Sequence, residues 1–193
     1  MPLRQPNKSE KGREMIIEIS EKTNVSADRL WALFGEAYPE IGKWSSGVFA
    51  SKPRAGDGPG GADFQGRICE TNFGKLTETV TTYDRAARKI TYLVKGDKMP
   101  GFVKRMENNW HFKDAGNGKA EITVRLTGEL AFPFSVLMGW MMKLQLKKDL
   151  ITNIEELIHF AEYGHPHPRK VKVDGSAKAQ KVRATFAQPQ TEV

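Results

Sequence analysis

Residues 74–94 read GKLTETVTTYDRAARKITYLV, and this stretch decides how the chain can fold. Apolar and polar side chains alternate over Leu76–Tyr83 and again over Lys89–Lys95, which is the period of a half-buried strand. Only Asp84–Arg88 separates the two runs. Because a gap this short joins antiparallel strands, the stretch predicts a β-hairpin with one buried face.

The same pattern continues on both sides of this hairpin. Strands are predicted over Glu14–Thr23, Val48–Ser51, Gly66–Asn72, Phe102–Lys113 and Ala120–Leu130. Glycine, asparagine and aspartate fill most of the short gaps between consecutive strands. The chain therefore predicts an antiparallel sheet of about six to seven strands.

Helical spacing occurs at two places. After the first strand, Ser26 is a suitable N-cap for a short helix that ends at Gly35, and a second short helix runs from Pro39 to Trp44. A long helix is predicted from Pro133 to Tyr163, followed by Gly164 as a natural stop. Its predicted apolar face consists of Leu137, Met141, Leu144, Ile151, Ile154 and Ile158.

Composition limits the class of protein. The 193 residues are 39% hydrophobic and 27% charged, which excludes an integral membrane protein and a wholly disordered one. The longest nearly apolar run, Leu130–Met142, is shorter than a membrane span. A single cysteine, Cys69, excludes an internal disulfide and a cysteine-rich metal site. Because the first residues also lack the apolar segment of a secretion signal, a cytoplasmic location is predicted.

The net charge of +7 is concentrated at the chain ends. Residues 1–13 hold four basic residues and one acidic residue, and residues 165–193 hold six basic and two acidic ones. We expect a disordered lead over residues 1–13, one folded domain over 14–164 and a basic disordered tail over 165–193. Charge placed on tails does not indicate specific nucleic-acid binding, but it allows weak contact with anionic surfaces.

Several strings resemble a known superfamily. They are VSADRLWALF (residues 25–34), YPEIGKW (38–44), the 74–94 stretch and KKDLITNIEELIHFAE (147–162). Together with the element order, they resemble the START, Bet v 1 and polyketide-cyclase superfamily (SRPBCC), in its polyketide cyclase/dehydrase branch. The resemblance covers about residues 15–163 and implies an α+β helix-grip fold: a curved antiparallel sheet wrapped on a long C-terminal helix, with two short helices after the first strand. Members bind lipids, sterols, hormones or polyketides, and some act as cyclases or aromatases.

Polar side chains on otherwise apolar strand faces are the first candidates for a ligand site. Glu78 is in phase with Leu76 and Val80, so it either faces inward or, if the threonine face is the inner one, is solvated. Arg67 has the same two alternatives, and it would pair with Glu78 if both face inward. The family pattern also tends to carry an acid at the position of Glu78.

Further candidates come from the aromatic and methionine residues. Tyr92, Asn108 and Trp110 share strand faces with apolar residues, and they serve either as ligand contacts or as ordinary packing with satisfied hydrogen bonds. Trp44 either faces the mouth of a cavity or packs in the core. Met141 belongs to a methionine-rich helix start that suits a pocket, a partner surface or the core.

The leading hypothesis is a carrier or sensor that holds a small hydrophobic molecule between the sheet and the long helix, with Arg67, Glu78, Tyr92 and Asn108 orienting its polar end. The alternative is a polyketide cyclase/dehydratase-like enzyme using the same cavity, with Glu78 or Tyr92 moving protons. A minor third hypothesis is an anionic-surface binder that uses the basic tails and the Met138–Met142 patch. No cofactor is expected, since phosphate and dinucleotide motifs are missing. No metal is expected either, because His165 and His167 lack a third ligand. Both a monomer and a homodimer fit the sequence.

Overall fold

The computed structural model describes residues 13–133 and 138–186. Within these residues the strands are β1 (Arg13–Thr23), β2 (Val48–Arg54), β3 (Gly66–Thr71), β4 (Gly74–Asp84), β5 (Lys89–Gly96), β6 (Val103–Gly116) and β7 (Lys119–Leu130). They form one antiparallel sheet in the order β1-β7-β6-β5-β4-β3-β2. The predicted meander is confirmed, and β1 joins it by pairing with the last strand.

The predicted helical segments occur in the predicted order, and a 3₁₀ turn and two C-terminal helices are present in addition. They are α1 (Ala27–Trp31), a π-helical turn (Ala32–Glu36), a 3₁₀ helix (Tyr38–Lys43), a 3₁₀ turn (Pro59–Gly61), α2 (Gly139–Tyr163), α3 (Pro168–Asp174) and α4 (Ala177–Phe186). Ser26 caps α1, with its hydroxyl accepting a hydrogen bond from the amide of Arg29. Gly35 does not end the helix as predicted, because the chain widens into the π-helical turn. A methyl group on Gly35 would come within 2.4 Å of the Trp31 ring, so glycine permits this close approach.

The core lies between the inner face of the curved sheet and its helical cover. Ile90, Trp110, Phe112 and Val124 project from the central strands and are almost fully buried. The cover consists of α1, the π-helical turn and the second half of α2, whose buried residues include Leu150, Ile154, Leu157 and Ala161. The predicted helix-grip fold is confirmed.

The buried face of α2 differs from the prediction. Met141, Leu144 and Ile151 are exposed, and Ile154 is buried. Ile158 is partly buried. Leu137 lies outside the described residues, as do residues 134–136. The partly buried apolar positions in the first half of the helix are Met142 and Leu146 instead. Apolar residues surround this half of the helix on every side, so their spacing alone could not select the packed face.

Residues 168–186 also differ from the prediction of a disordered tail. They form α3 and α4, which pack beside β2, the strand at the end of the sheet. Nζ of Lys170 donates to the carbonyl of Val48 over 2.7 Å, and Nε of Arg183 donates to the carbonyl of Phe49 over 2.7 Å. The basic side chains that suggested a solvated tail thus hold two helices against main-chain carbonyls of β2. Gly164, with φ of 73°, ends α2 as predicted.

Candidate ligand-binding site

An ion pair between neighbouring strands lies within the buried face. Arg67 on β3 and Glu78 on β4 are cross-strand partners, and Nε of Arg67 donates to Oε2 of Glu78 over 2.7 Å. Only 2% of the Arg67 side-chain surface and 10% of the Glu78 surface are exposed. Because a buried charge is tolerated mainly when it is paired, two inward charges on adjacent strands favour this contact. The sequence suggested the pair, and the structure brings the two residues together.

Tyr38, which the sequence analysis did not select, completes this network. Its hydroxyl donates to the same Glu78 oxygen over 2.5 Å, and its main-chain carbonyl accepts from Nη1 of Arg67 over 2.6 Å. The guanidinium carbon lies 3.8 Å from the centre of the Tyr38 ring, which is a cation–π contact. The network therefore joins the 3₁₀ helix to the sheet. The available sequence signal was the position of Tyr38 four residues after Phe34, on the same side of a helix.

Burial shifts the proton affinities of the groups around the pair. It raises the pKa of Tyr38 well above its ordinary value, although the charge of Arg67 opposes this shift. It also raises the pKa of Tyr92, and it raises the pKa of the Cys69 thiol to about 12. Burial is the largest single influence on Arg67 and lowers its pKa, but Glu78, Tyr38, Cys69 and Tyr92 all act in the opposite direction and together leave the pKa raised. Both phenols and the thiol are therefore protonated at neutral pH, and Cys69 is not an activated nucleophile.

Aromatic rings form a wall beside this network. Phe34 stacks on Trp110 with ring centres 4.2 Å apart, and the Trp44 ring lies 6.1 Å from Phe34. The Tyr92 ring lies 5.3 Å from that of Tyr38. The fold thus brings Trp44, Tyr92 and Trp110, all selected from the sequence, to one buried face.

Four polar atoms on this side of the sheet are buried without a hydrogen-bond partner among the described residues. They are Oδ1 of Asn108 and the Nε1 atoms of Trp31, Trp44 and Trp110. Asn108 lies directly opposite Tyr92 in the β5–β6 register, and it shares a strand face with Trp110. Buried polar atoms nearly always have partners, and leaving one unpaired costs about 1–3 kcal/mol. Asn108 and Trp44 therefore mark positions that are suited to the polar group of a ligand.

Met141 does not join the other predicted site residues. Half of its surface is exposed at the start of α2, whereas its neighbour Met142 packs against the core. The prediction for Met141 rested on the helix face that the structure corrects. The other predicted residues, Trp44, Arg67, Glu78, Tyr92, Asn108 and Trp110, are all buried.

A groove of about 1080 Å³ lies elsewhere, between the 3₁₀ helix, β2 and α4. Its walls combine apolar and charged side chains, among them Pro39, Lys43, Phe49, Lys52, Arg183 and Phe186. Two of its cations are engaged already, since Lys43 pairs with Glu40 and Arg183 with Asp174. None of the site residues predicted from the sequence lines this groove.

The histidines near the end of α2 come together in space. The ring of His159 lies 5.2 Å from that of His165 and 4.9 Å from that of His167. Across residues 13–133 and 138–186, no group of three or more histidine, cysteine, aspartate or glutamate side chains is arranged to hold a metal ion. None of the helices in those ranges has an apolar stretch that would cross a bilayer.

The fold and the buried wall define a class of α+β proteins in which a curved antiparallel sheet is closed by one long helix and keeps a few polar groups on its inner face. The chain belongs to the polyketide cyclase / dehydrase and lipid transport family, whose model matches residues 16–159. The predicted relationship is confirmed. The match ends within α2, so α3 and α4 lie outside the family region.

Solved structures of low sequence identity share the fold. Norcoclaurine synthase from Thalictrum flavum superposes with a TM-score of 0.63 at 10% identity, covering 84% of this chain and 99% of that one. A START superfamily protein from Mycobacterium smegmatis gives a TM-score of 0.59 at 16% identity, covering 76% and 97%. At these identities the likeness shows the START/Bet v 1-like fold alone. No curated protein sequence matches this chain.

Proposed function

We propose that this protein is a carrier or sensor that binds a small, mostly apolar molecule between the inner face of the sheet and α2. The family and the fold support hydrophobic-ligand binding or polyketide cyclase-type chemistry as a class. The observation that carries the proposal for this chain is the buried Asn108 amide, whose oxygen has no hydrogen-bond partner in the described part of the chain.

The surroundings of Asn108 favour an apolar ligand body. Met106 and Trp110 are its neighbours on the same strand face. Met106 is only partly buried, and so is Met142 on α2. The buried face is therefore less tightly covered toward the start of β6. Methionine side chains adapt to ligands of different shape, and burial of apolar ligand surface contributes about 25 cal/mol per Å².

The polar atoms set the chemistry of the ligand's polar end. Oδ1 of Asn108 accepts a hydrogen bond, and Nε1 of Trp44 donates one. A hydroxyl group satisfies either atom, whereas a pure hydrocarbon satisfies neither. Tyr92, opposite Asn108, offers a protonated phenol as a further contact. Arg67 and Glu78 bond to each other, so we assign them to the shape of the wall and the orientation of Tyr38.

The test compares two adjacent asparagines that face opposite sides of the sheet. Asn108→Leu removes the proposed contact, whereas Asn109→Leu removes a 2.6 Å hydrogen bond from Asn109 to Thr91 on the other face. Native mass spectrometry of the freshly purified protein should show a bound molecule that contains oxygen or nitrogen. Its occupancy should fall in Asn108→Leu, corresponding to about a 10-fold loss of affinity, and stay unchanged in Asn109→Leu.

Stability provides an independent readout. Without ligand, Asn108→Leu should raise the free energy of unfolding by about 1 kcal/mol, because it removes an unpaired buried polar group. Asn109→Leu should lower it by a similar amount, because its hydrogen bond is lost. A parent protein without any bound molecule, or equal occupancy in both variants, would contradict the proposal.

An enzymatic function is the second candidate, and one observation favours it. Oε2 of Glu78 is held by Arg67 and Tyr38, whereas Oε1 has no hydrogen bond among the described residues. A carboxylate fixed through one oxygen is able to accept a proton with the other. In the test, the molecule extracted from Glu78→Gln is added to the parent protein. A change in its mass or chromatographic retention supports turnover, and recovery of the unchanged molecule supports binding alone.

A further inference from the structure

The first half of α2 presents a row of apolar side chains to solvent. Trp140, Leu144 and Ile151 follow one another at intervals of four and seven residues, which places them on one side of the helix. Their exposed fractions are 64%, 61% and 39%, and Met141 beside them is 50% exposed. We call these four residues the α2 stripe. Exposed apolar side chains grouped in this way indicate a contact surface.

Lysines flank the α2 stripe. At about 100° per residue, Lys147 lies on one side of the row formed by Trp140, Leu144 and Ile151, and Lys148 lies on the other side, next to Met141. Lys143 lies one turn before Lys147. All three are exposed, and none forms a salt bridge within the described residues. Residues 139–148 contain no acidic side chain. The next one, Asp149, lies on the far side of the helix and bonds to Gln145.

We propose that the α2 stripe and these three lysines form a docking surface for membranes that contain anionic lipids. Tryptophan, leucine and isoleucine side chains gain free energy by entering the interface below the headgroups. Lysine stems extend along the apolar layer while their ammonium groups reach lipid phosphates. A second copy of the chain fits this face less well, because a symmetric contact would bring unpaired lysines together.

Among residues 13–133 and 138–186, no other element covers the α2 stripe. Gly139 lies against Leu130 at the end of β7, where Val103 of β6 is the cross-strand partner of Leu130. The C-terminal helices α3 and α4 pack beside β2 instead. The α2 stripe is therefore at the end of the sheet toward which Met106 is only partly buried. Docking does not depend on the proposed ligand site, although it would bring that site close to a lipid surface.

Vesicle sedimentation tests this proposal with the full chain. The parent protein should sediment with vesicles of phosphatidylcholine mixed with phosphatidylglycerol, and much less with phosphatidylcholine alone. Removing three charges with K143Q/K147Q/K148Q should weaken binding by roughly 100-fold. Trp140→Ser combined with Leu144→Ser should weaken it by at least about 10-fold. Added salt should weaken the parent and have less effect on the lysine variant.

Matched controls separate docking from general charge and hydrophobicity. K22Q/K113Q/K119Q removes three exposed lysines at the opposite end of the sheet, and Phe73→Ser removes an equally exposed aromatic ring from the β3–β4 hairpin. Both variants should bind like the parent.

Circular dichroism checks that each variant is folded. The proposal is overturned if the parent does not sediment, if it binds neutral vesicles equally well, or if the controls lose as much binding as the test variants. It is also overturned if the variant that combines Trp140→Ser with Leu144→Ser differs from the parent only in that a dimer dissociates into monomers.

Discussion

At the scale of single residues, the Arg67–Glu78 contact should dominate the cost of substitution. Arg67→Met keeps most of the side-chain volume but leaves the Glu78 carboxylate buried without its cation. The free energy of unfolding should fall by about 3–5 kcal/mol. Tyr38→Phe keeps the ion pair and removes one hydroxyl donor, so it should cost about 1–2 kcal/mol. Urea denaturation measures both, and equal losses for the two variants would argue against a dominant ion pair.

The same residues show how far sequence could define the candidate site. Alternation along β3 and β4 put Arg67 and Glu78 on strand faces that were either inward or solvated, and the short hairpin made them a pair if both faced inward. Tyr38 was missed because it reaches the pair from a helical segment remote in sequence, a relationship that strand periodicity does not contain. Met141 was misplaced because the helix start is apolar on all sides.

At the scale of elements, Lys170 should control how firmly α3 and α4 hold the edge of the sheet. It is fully buried, and its ammonium group contacts the Val48 carbonyl at 2.7 Å and Asp174 at 2.9 Å. Lys170→Ala should therefore lower the free energy of unfolding by about 2 kcal/mol. Hydrogen exchange should accelerate in α3, α4 and β2. Lys172→Ala, an exposed lysine on the same helix, is the matched control.

If the Lys172→Ala variant accelerated exchange as much as Lys170→Ala, the edge contact would not be the cause.

The elements of the fold differ in how far the sequence could predict them. The strands and α2 follow from local periodicity and turn residues, which is why their order could be predicted. The helices α3 and α4 depend on two hydrogen bonds to β2 whose partners are far apart in sequence. Lys170 and Val48 are separated by 122 positions, and Arg183 and Phe49 by 134. Composition alone therefore indicated a solvated tail.

At the scale of the whole molecule, the histidines between α2 and α3 should make the C-terminal helices sensitive to acid. The pKa of His159 is lowered by partial burial and by its neighbours His167 and His165, with Glu162 opposing and Arg169 adding to the effect. In the unfolded chain, His159 titrates near pH 6.5. Below about that pH the unfolded state binds more protons than the folded state, so stability falls as the pH decreases.

We expect this loss to appear first as faster hydrogen exchange in α3 and α4. His167 caps α3 by accepting a hydrogen bond from the Arg169 amide over 3.1 Å, and its ring lies 4.9 Å from that of His159. His159→Gln should reduce the acid sensitivity of both helices. His111→Gln, on β6, should leave it intact, although the pKa of His111 is also lowered by partial burial. Identical pH profiles for the parent and His159→Gln would contradict this explanation.

The distribution of tryptophans has a practical consequence. Trp31, Trp44 and Trp110 are at most 4% exposed, whereas Trp140 is 64% exposed. These four are the only tryptophans in the chain. Because indole emission shifts with solvent contact, a soluble quencher will report on Trp140 while the other three remain shielded. Lipid contact and occupation of the interior should therefore produce separate optical signals in one unlabelled sample.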